Sequence, residues 1–176
     1  MSEVLPRSAM TQVTLSDIKK KATAAYWSLW SQARSVGRDV KIYLHWTAGR
    51  YGQFWDDYHI QIDRNGEIYM PAGVGLDDIL YGTWRRNTGS IAISLLGCYD
   101  ATPEGLGSEP PTAAQIETMS QVVTVLANAL DLTIDKARVM THGEAGDNED
   151  GVWCHDPYGP KSTVERWDLE FLGTPE

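Results

Sequence analysis

Ile42-Tyr43-Leu44-His45-Trp46-Thr47-Ala48-Gly49 is the stretch from which the rest of the chain can be read. An apolar run reaches a histidine and then opens into a glycine-containing loop, so the histidine sits at the rigid end of a strand, where side chains are positioned more sharply than on loops. One strand-end histidine proves little, because fold positions outnumber site positions. The pattern occurs a second time, independently, at Ala137-Arg138-Val139-Met140-Thr141-His142-Gly143-Glu144. Two histidines so distant in the chain converge only if their strands lie side by side in one sheet, which is the geometry of a dispersed metal site. Neutral imidazoles are the commonest zinc ligands, and a catalytic zinc takes three protein ligands and leaves a fourth position open. The C-terminal segment offers two candidates for the third, Asp156 in Cys154-His155-Asp156-Pro157 and Asp168 in Arg166-Trp167-Asp168-Leu169.

Outward from these two strands, the spacing of Ile18, Ala22, Ala25, Leu29, Ala33 and Val36 predicts an amphipathic helix, with Ser16 as its cap and Gly37 as its stop. Tyr26, Trp27 and Trp30 on that helix read as core packing ahead of a sugar-stacking face. Strands are expected over 40–46, 58–63, 67–70 and 90–97. Arg64-Asn65-Gly66 should form the hairpin turn, since Asn-Gly suits the positive φ of a type I′ loop. Residues 100–111, rich in Gly, Pro and acidic groups, read as an exposed loop. Thr112 then caps a second helix with one buried stripe of Ile116, Met119, Val123, Leu126 and Leu130. Residues 143–161 read as irregular. The sum is an α/β single domain with a central mixed sheet flanked by helices.

Composition bounds the function. At 176 residues and 42% apolar content the chain suits one domain with a proper core. A formal net charge of −9 argues against nucleic-acid binding and against electrostatic docking on anionic lipid. Two cysteines, Cys98 and Cys154, are too few for a disulfide framework and suit a reduced cytoplasm. No run approaches the roughly 18 apolar residues of a membrane span, and Met1-Ser2-Glu3-Val4-Leu5-Pro6-Arg7 lacks the layout of a secretory signal. The expectation is a monomer made in the cytoplasm without stable membrane association.

Four segments in order carry a more specific likeness: Leu44-His45-Trp46-Thr47-Ala48; Tyr58-His59-Ile60-Gln61-Ile62-Asp63-Arg64-Asn65-Gly66-Glu67-Ile68; Asn87-Thr88-Gly89-Ser90-Ile91-Ala92-Ile93-Ser94-Leu95-Leu96-Gly97; and Thr141-His142-Gly143-Glu144. Singly each is weak, and as an ordered set they resemble the zinc-dependent N-acetylmuramoyl-L-alanine amidases, the group that includes phage endolysins and peptidoglycan-recognition proteins. The resemblance implies one zinc amidase domain over 1–176, with 1–39 as a helical segment covering the sheet and 40–176 as the catalytic core. It implies one Zn2+ on His45 and His142 and a peptidoglycan substrate. The reaction would be hydrolysis of the amide between N-acetylmuramic acid and L-alanine of the stem peptide. Such an enzyme would reach the wall after release from the cell, or act on cytosolic muropeptides.

Residue roles follow from the same likeness. Tyr58 matches an active-site tyrosine of the phage-type enzymes, where a phenol can donate to a developing oxyanion. His59 should face the other way and serve a structural purpose. Trp46, Thr47 and Asn87 are the implied substrate contacts. Ser94 stands where wall-recycling relatives carry a glutamate base, which makes the chain more like the phage enzymes. Relatives place a basic residue two positions before the third ligand. Arg166 meets that condition for Asp168, whereas Asp156 has Cys154 there, so Asp168 is favoured with Asp156 as the alternative. Two other classes compete: a peptidoglycan-binding module of the same fold that does not cut, and a structural protein of a phage particle, which predicts no zinc.

Overall fold

Lys41–Trp46 forms a strand, β3, that is buried along its whole length, as is Ser90–Leu95, β7, which runs parallel beside it. Near-continuous apolar runs of this kind are what strands covered on both faces require. The computed structural model describes residues 3–83, 86–102 and 105–146. Two short strands, β1 (Val4–Leu5) and β4 (Phe54–Trp55), pair with each other apart from the main sheet. The main sheet adds β2 (Met10–Val13), β5 (Ile60–Ile62), β6 (Ile68–Pro71) and β8 (Val139–Thr141), in the order β2-β6-β5-β7-β3-β8. β5, β7, β3 and β8 run parallel to one another, and β6 runs antiparallel to both of its neighbours, β5 and β2. The sheet is therefore mixed, as expected.

Two long helices, α1 (Leu15–Ser35) and α2 (Ala113–Leu130), cover one face. Ile18, Ala22, Leu29 and Ala33 from α1 share a core with Met119, Val122, Leu126 and Leu130 from α2. Alternate sheet residues point into that core: Ile42, Leu44 and Trp46 from β3, Ile91, Ile93 and Leu95 from β7, Ile60 and Ile62 from β5. The intervening residues, among them Tyr43, His45, Ser94 and Gln61, belong by the two-residue period to the opposite face. Tyr43 there packs with Met140 of β8 and with Ala145 of α3 (His142–Gly146), a single helical turn directly after β8.

Several details depart from the sequence reading. Thr14, not Ser16, caps α1, because Asp17 completes a reciprocal box with it: Asp17 N–H donates to Thr14 Oγ1 at 3.1 Å and Thr14 N–H to Asp17 Oδ2 at 2.9 Å. Trp27 is 81% exposed, so of the three aromatics on α1 only Tyr26 and Trp30 pack against the core. Their polar tips reach the end of α2, Tyr26 Oη donating to Asp131 and Trp30 Nε1 to the Leu130 carbonyl. The β5–β6 turn is a three-residue loop rather than a type I′ pair. Gly66 has φ 89° while Asn65 stays at negative φ, and Gly66 N–H bonds to the Asp63 carbonyl at 2.8 Å. Residues 1–39 supply strands as well as a helix, β2 extending the sheet alongside β6.

On α2 the buried stripe is displaced. Ile116 is 41% exposed, and Gln115 beside it is fully buried. Gln115 accepts from Thr112 N–H and donates through Nε2 to the carbonyls of Ile62 and Leu96 at 2.9 and 2.8 Å, so the capping residue also ties the helix to the ends of β5 and β7. A buried amide is tolerated there because its donors and its acceptor are all paired with backbone groups.

His59 is a buried titratable group that bears on the stability of the fold. Ala92 N–H donates to its Nδ1 at 3.0 Å, which leaves the proton on Nε2, and that atom donates to the Asp78 carbonyl at 2.6 Å. Burial pushes its pKa from 6.5 down to about 4, against the smaller opposing effect of the Asp78 carbonyl. The unfolded chain therefore binds a proton here that the folded chain refuses between those two values. Stability is at its full value above the unfolded pKa and falls as pH drops from about 6.5 toward about 4, by on the order of 3 kcal/mol. Urea titrations across this window should show that slope, and a His59→Gln variant, weaker throughout, should lack it.

Candidate metal and catalytic site

Parallel pairing of β3 with β8 places Leu44 opposite Thr141, so the next residue of each strand, His45 and His142, emerge side by side. Their Nδ1 atoms lie 3.1 Å apart and their rings 4.8 Å apart at 75°. His45 is wholly buried and His142 partly exposed. A second feature fixes His142. Thr141 and Glu144 form a capping box at the start of α3, Glu144 N–H donating to Thr141 Oγ1 at 3.1 Å and Thr141 N–H to Glu144 Oε2 at 2.9 Å. The Thr-x-x-Glu signature was visible in the sequence, and the residues from 143 onward were nevertheless read as irregular.

The other ring nitrogen of His45 is also engaged. Nε2 lies 3.1 Å from Oγ1 of Thr83, which is 2% exposed and belongs to the loop between β6 and β7. Asn87 holds that loop in place, its Oδ1 accepting from Thr83 N–H at 2.9 Å, and Arg86 N–H closes the same turn onto the Thr83 carbonyl. The side-chain oxygen of Asn87, taken from the sequence as a substrate contact, thus serves the loop that touches His45.

Tyr58 stands beside the histidine pair, its ring 5.0 Å from that of His45. Gln61, buried on the same face, anchors the segment before β5: its Oε1 accepts from Trp55 N–H, and its Nε2 donates to the carbonyls of Trp55 and Tyr58 at 2.6 and 3.3 Å. Register sets Gln61, Ser94 and His45 in one row across three strands. Ser94 is fully buried in the middle of that row, a hydroxyl with no ionisable group to offer as a base.

Trp46 is not where the sequence reading put it. Trp46 is 4% exposed within the core under the helices, since a residue next to His45 on a strand must face the other way. Thr47 organises the loop after β3, its Oγ1 accepting from the N–H groups of Gly49 and Gly97 at 3.2 and 3.1 Å. Asp156, Arg166 and Asp168 lie outside the described residues, and among the described residues no cluster of three His, Cys, Asp or Glu side chains is found.

The pair itself suits zinc. Tetrahedral zinc with bonds of about 2.0–2.1 Å to nitrogen separates two ligand nitrogens by roughly 3.3 Å. The two Nδ1 atoms at 3.1 Å are close to that spacing. The Thr83 hydroxyl at Nε2 is the kind of outer partner that a metal-binding imidazole uses to fix its tautomer.

Comparison with known proteins gives a family. The family described as N-acetylmuramoyl-L-alanine amidase matches residues 20–158, a span that takes in His45, Tyr58, His142 and Asp156 and stops before Arg166 and Asp168. A search of curated proteins found no match. Among solved structures the chain is similar to the endolysin N-acetylmuramoyl-L-alanine amidase LysCS from Clostridium intestinale URNW, with 16% identity, 58% of this chain and 68% of that one covered, and a TM-score of 0.45. It is similar to human PGRP-IBETAC, solved in complex with glycosamyl muramyl pentapeptide, with 16% identity, 60% and 71% covered and a TM-score of 0.46. It is also similar to the Ph2119 endolysin from Thermus scotoductus MAT2119 bacteriophage Ph2119, with 20% identity, 60% and 71% covered and a TM-score of 0.40.

Proposed function

The chain belongs to the N-acetylmuramoyl-L-alanine amidase family, and from that premise we propose that it is a zinc-dependent peptidoglycan hydrolase, which cuts the amide joining N-acetylmuramic acid to L-alanine of the stem peptide. The observation that carries this reading is the convergence of two strand-end imidazoles, Nδ1 to Nδ1 at 3.1 Å, next to a tyrosine. His45 and His142 would hold the metal through those atoms, with one aspartate as third ligand. Zinc so held supplies a Lewis acid that acidifies water and polarises an amide carbonyl. Tyr58 donates a hydrogen bond to the oxygen on which negative charge develops as the amide is attacked. Gln61 keeps Tyr58 in place through its carbonyl. Serine at position 94, where a glutamate base would stand in wall-recycling relatives, supports a phage or prophage endolysin over a recycling enzyme.

For the third ligand two arguments diverge. Arg166, two positions before Asp168, would place a cation at the transition state, while the family match reaches Asp156 and ends before Asp168. The extent of the family match supports Asp156, and we take it as the ligand, with Asp168 as the competing choice.

Product chemistry tests the reaction. Digested peptidoglycan should gain free N-terminal alanine and no new reducing sugar ends. New reducing ends would identify a glycosidase and turn attention to a pair of carboxylates as acid and base. Retention on the wall without release of either end would identify a binding module.

A further inference from the structure

A histidine ligates zinc through the lone pair of one neutral ring nitrogen, so its other nitrogen must carry the proton. In His45 the nitrogen turned toward His142 is Nδ1, which leaves the proton to Nε2. That atom is buried, and a buried N–H without an acceptor is costly. Thr83 Oγ1 lies within hydrogen-bond reach of it, at 3.1 Å. We infer that Thr83 is a positioning residue for the metal site: its hydroxyl accepts the Nε2 proton of His45, holds the tautomer in which Nδ1 is free to ligate, and fixes the plane of the ring.

The loop is built to hold that hydroxyl still. Thr83 donates its backbone N–H to Asn87 Oδ1, and its carbonyl accepts from Arg86 N–H, so the turn is closed at both ends. Gly82, just before it, runs so close to the neighbouring segment that an added Cβ would come within 3.0 Å of the Asp57 carbonyl and 3.5 Å of the Tyr58 ring. The loop is thereby docked against two members of the site, His45 through Thr83 and Tyr58 through Gly82. A threonine that merely filled space could be replaced by valine, which has nearly the same shape.

The inference rests on the zinc reading above, and the experiment separates the two. Zinc affinity is measured by competition with a chromogenic chelator for the wild type, Thr83→Val and Thr83→Ser, alongside the melting temperature of each zinc-free protein. Wild type and Thr83→Ser should bind one zinc with similar affinity. Thr83→Val should still fold cooperatively when zinc-free, melting a few degrees below wild type for the lost buried bond, yet bind zinc about tenfold to a hundredfold more weakly, the usual effect of losing an outer partner of a metal-binding histidine. In 15N–1H spectra of the loaded protein the His45 Nε2 proton should exchange slowly in wild type and Thr83→Ser, and rapidly in Thr83→Val. If valine prevents folding, Asn87→Ala, which keeps the hydroxyl but removes the anchor of its turn, should weaken zinc binding in the same direction. Equal zinc affinity in wild type and in a folded Thr83→Val or Asn87→Ala variant overturns the role given to Thr83 and leaves the zinc site standing. A wild type that takes up no zinc overturns the zinc reading itself.

Discussion

Replacing His45 or His142 by alanine is expected to abolish wall hydrolysis, with turnover falling by roughly a thousandfold or more, because a metal site that loses one of its ligands loses both the metal and the Lewis acid it supplies. The two variants should differ in stability. His45 is wholly buried and bonded on both sides, to His142 and to Thr83, so its removal empties a space and strips Thr83 of a partner. A cost of about 1–3 kcal/mol is expected for His45→Ala and less for the partly exposed His142. Steady-state assays on solubilised wall fragments, paired with urea denaturation, check both halves. A folded His45→Ala protein with more than a tenth of wild-type turnover would rule out the pair as the catalytic centre.

The second large effect separates the aspartates. Removing the sole anionic ligand raises the charge of the site and weakens zinc binding, whereas removing a nearby carboxylate leaves the metal in place and acts mainly on substrate affinity. Asp156→Ala is expected to lose zinc and nearly all turnover, and Asp168→Ala to keep its zinc. If the metal content of the two variants is reversed, the third ligand is Asp168. Arg166→Ala should then be zinc-loaded but on the order of a hundredfold slower, as when one donor to a developing oxyanion is removed.

The parts of the fold that were legible in the sequence are those where burial leaves a periodic trace. β3 and β7 are buried along their whole length and declare themselves as mainly apolar runs, and the apolar spacing of α1 declares its stripe. β2 does not, because Met-Thr-Gln-Val at the sheet edge buries only its first and last residues. Gln115 could not be foreseen as a core residue, since nothing local reveals that its amide meets the carbonyls at two strand ends. The pairing of His45 with His142 was readable because each closes a similar strand pattern, and adjacency in the sheet follows if both serve one site. Trp46 was misplaced although its sequence position sufficed to place it: with His45 turned toward His142 on the face away from the helices, the two-residue period sends its neighbour into the core. Thr83 left no trace at all. It lies in a loop, and its part in the site comes from a contact across 38 positions that only the folded chain displays.

The proposed wall-cutting chemistry depends on one zinc held by the strand-end histidines. The most direct test is to strip the purified protein with a chelator, measure its metal content and its release of alanine N-termini from peptidoglycan, and then return zinc in known amounts. The stripped protein should show no activity, and recovery should saturate at one zinc per chain in the wild type and be absent in His45→Ala. Full release of alanine N-termini by metal-free protein would contradict that dependence.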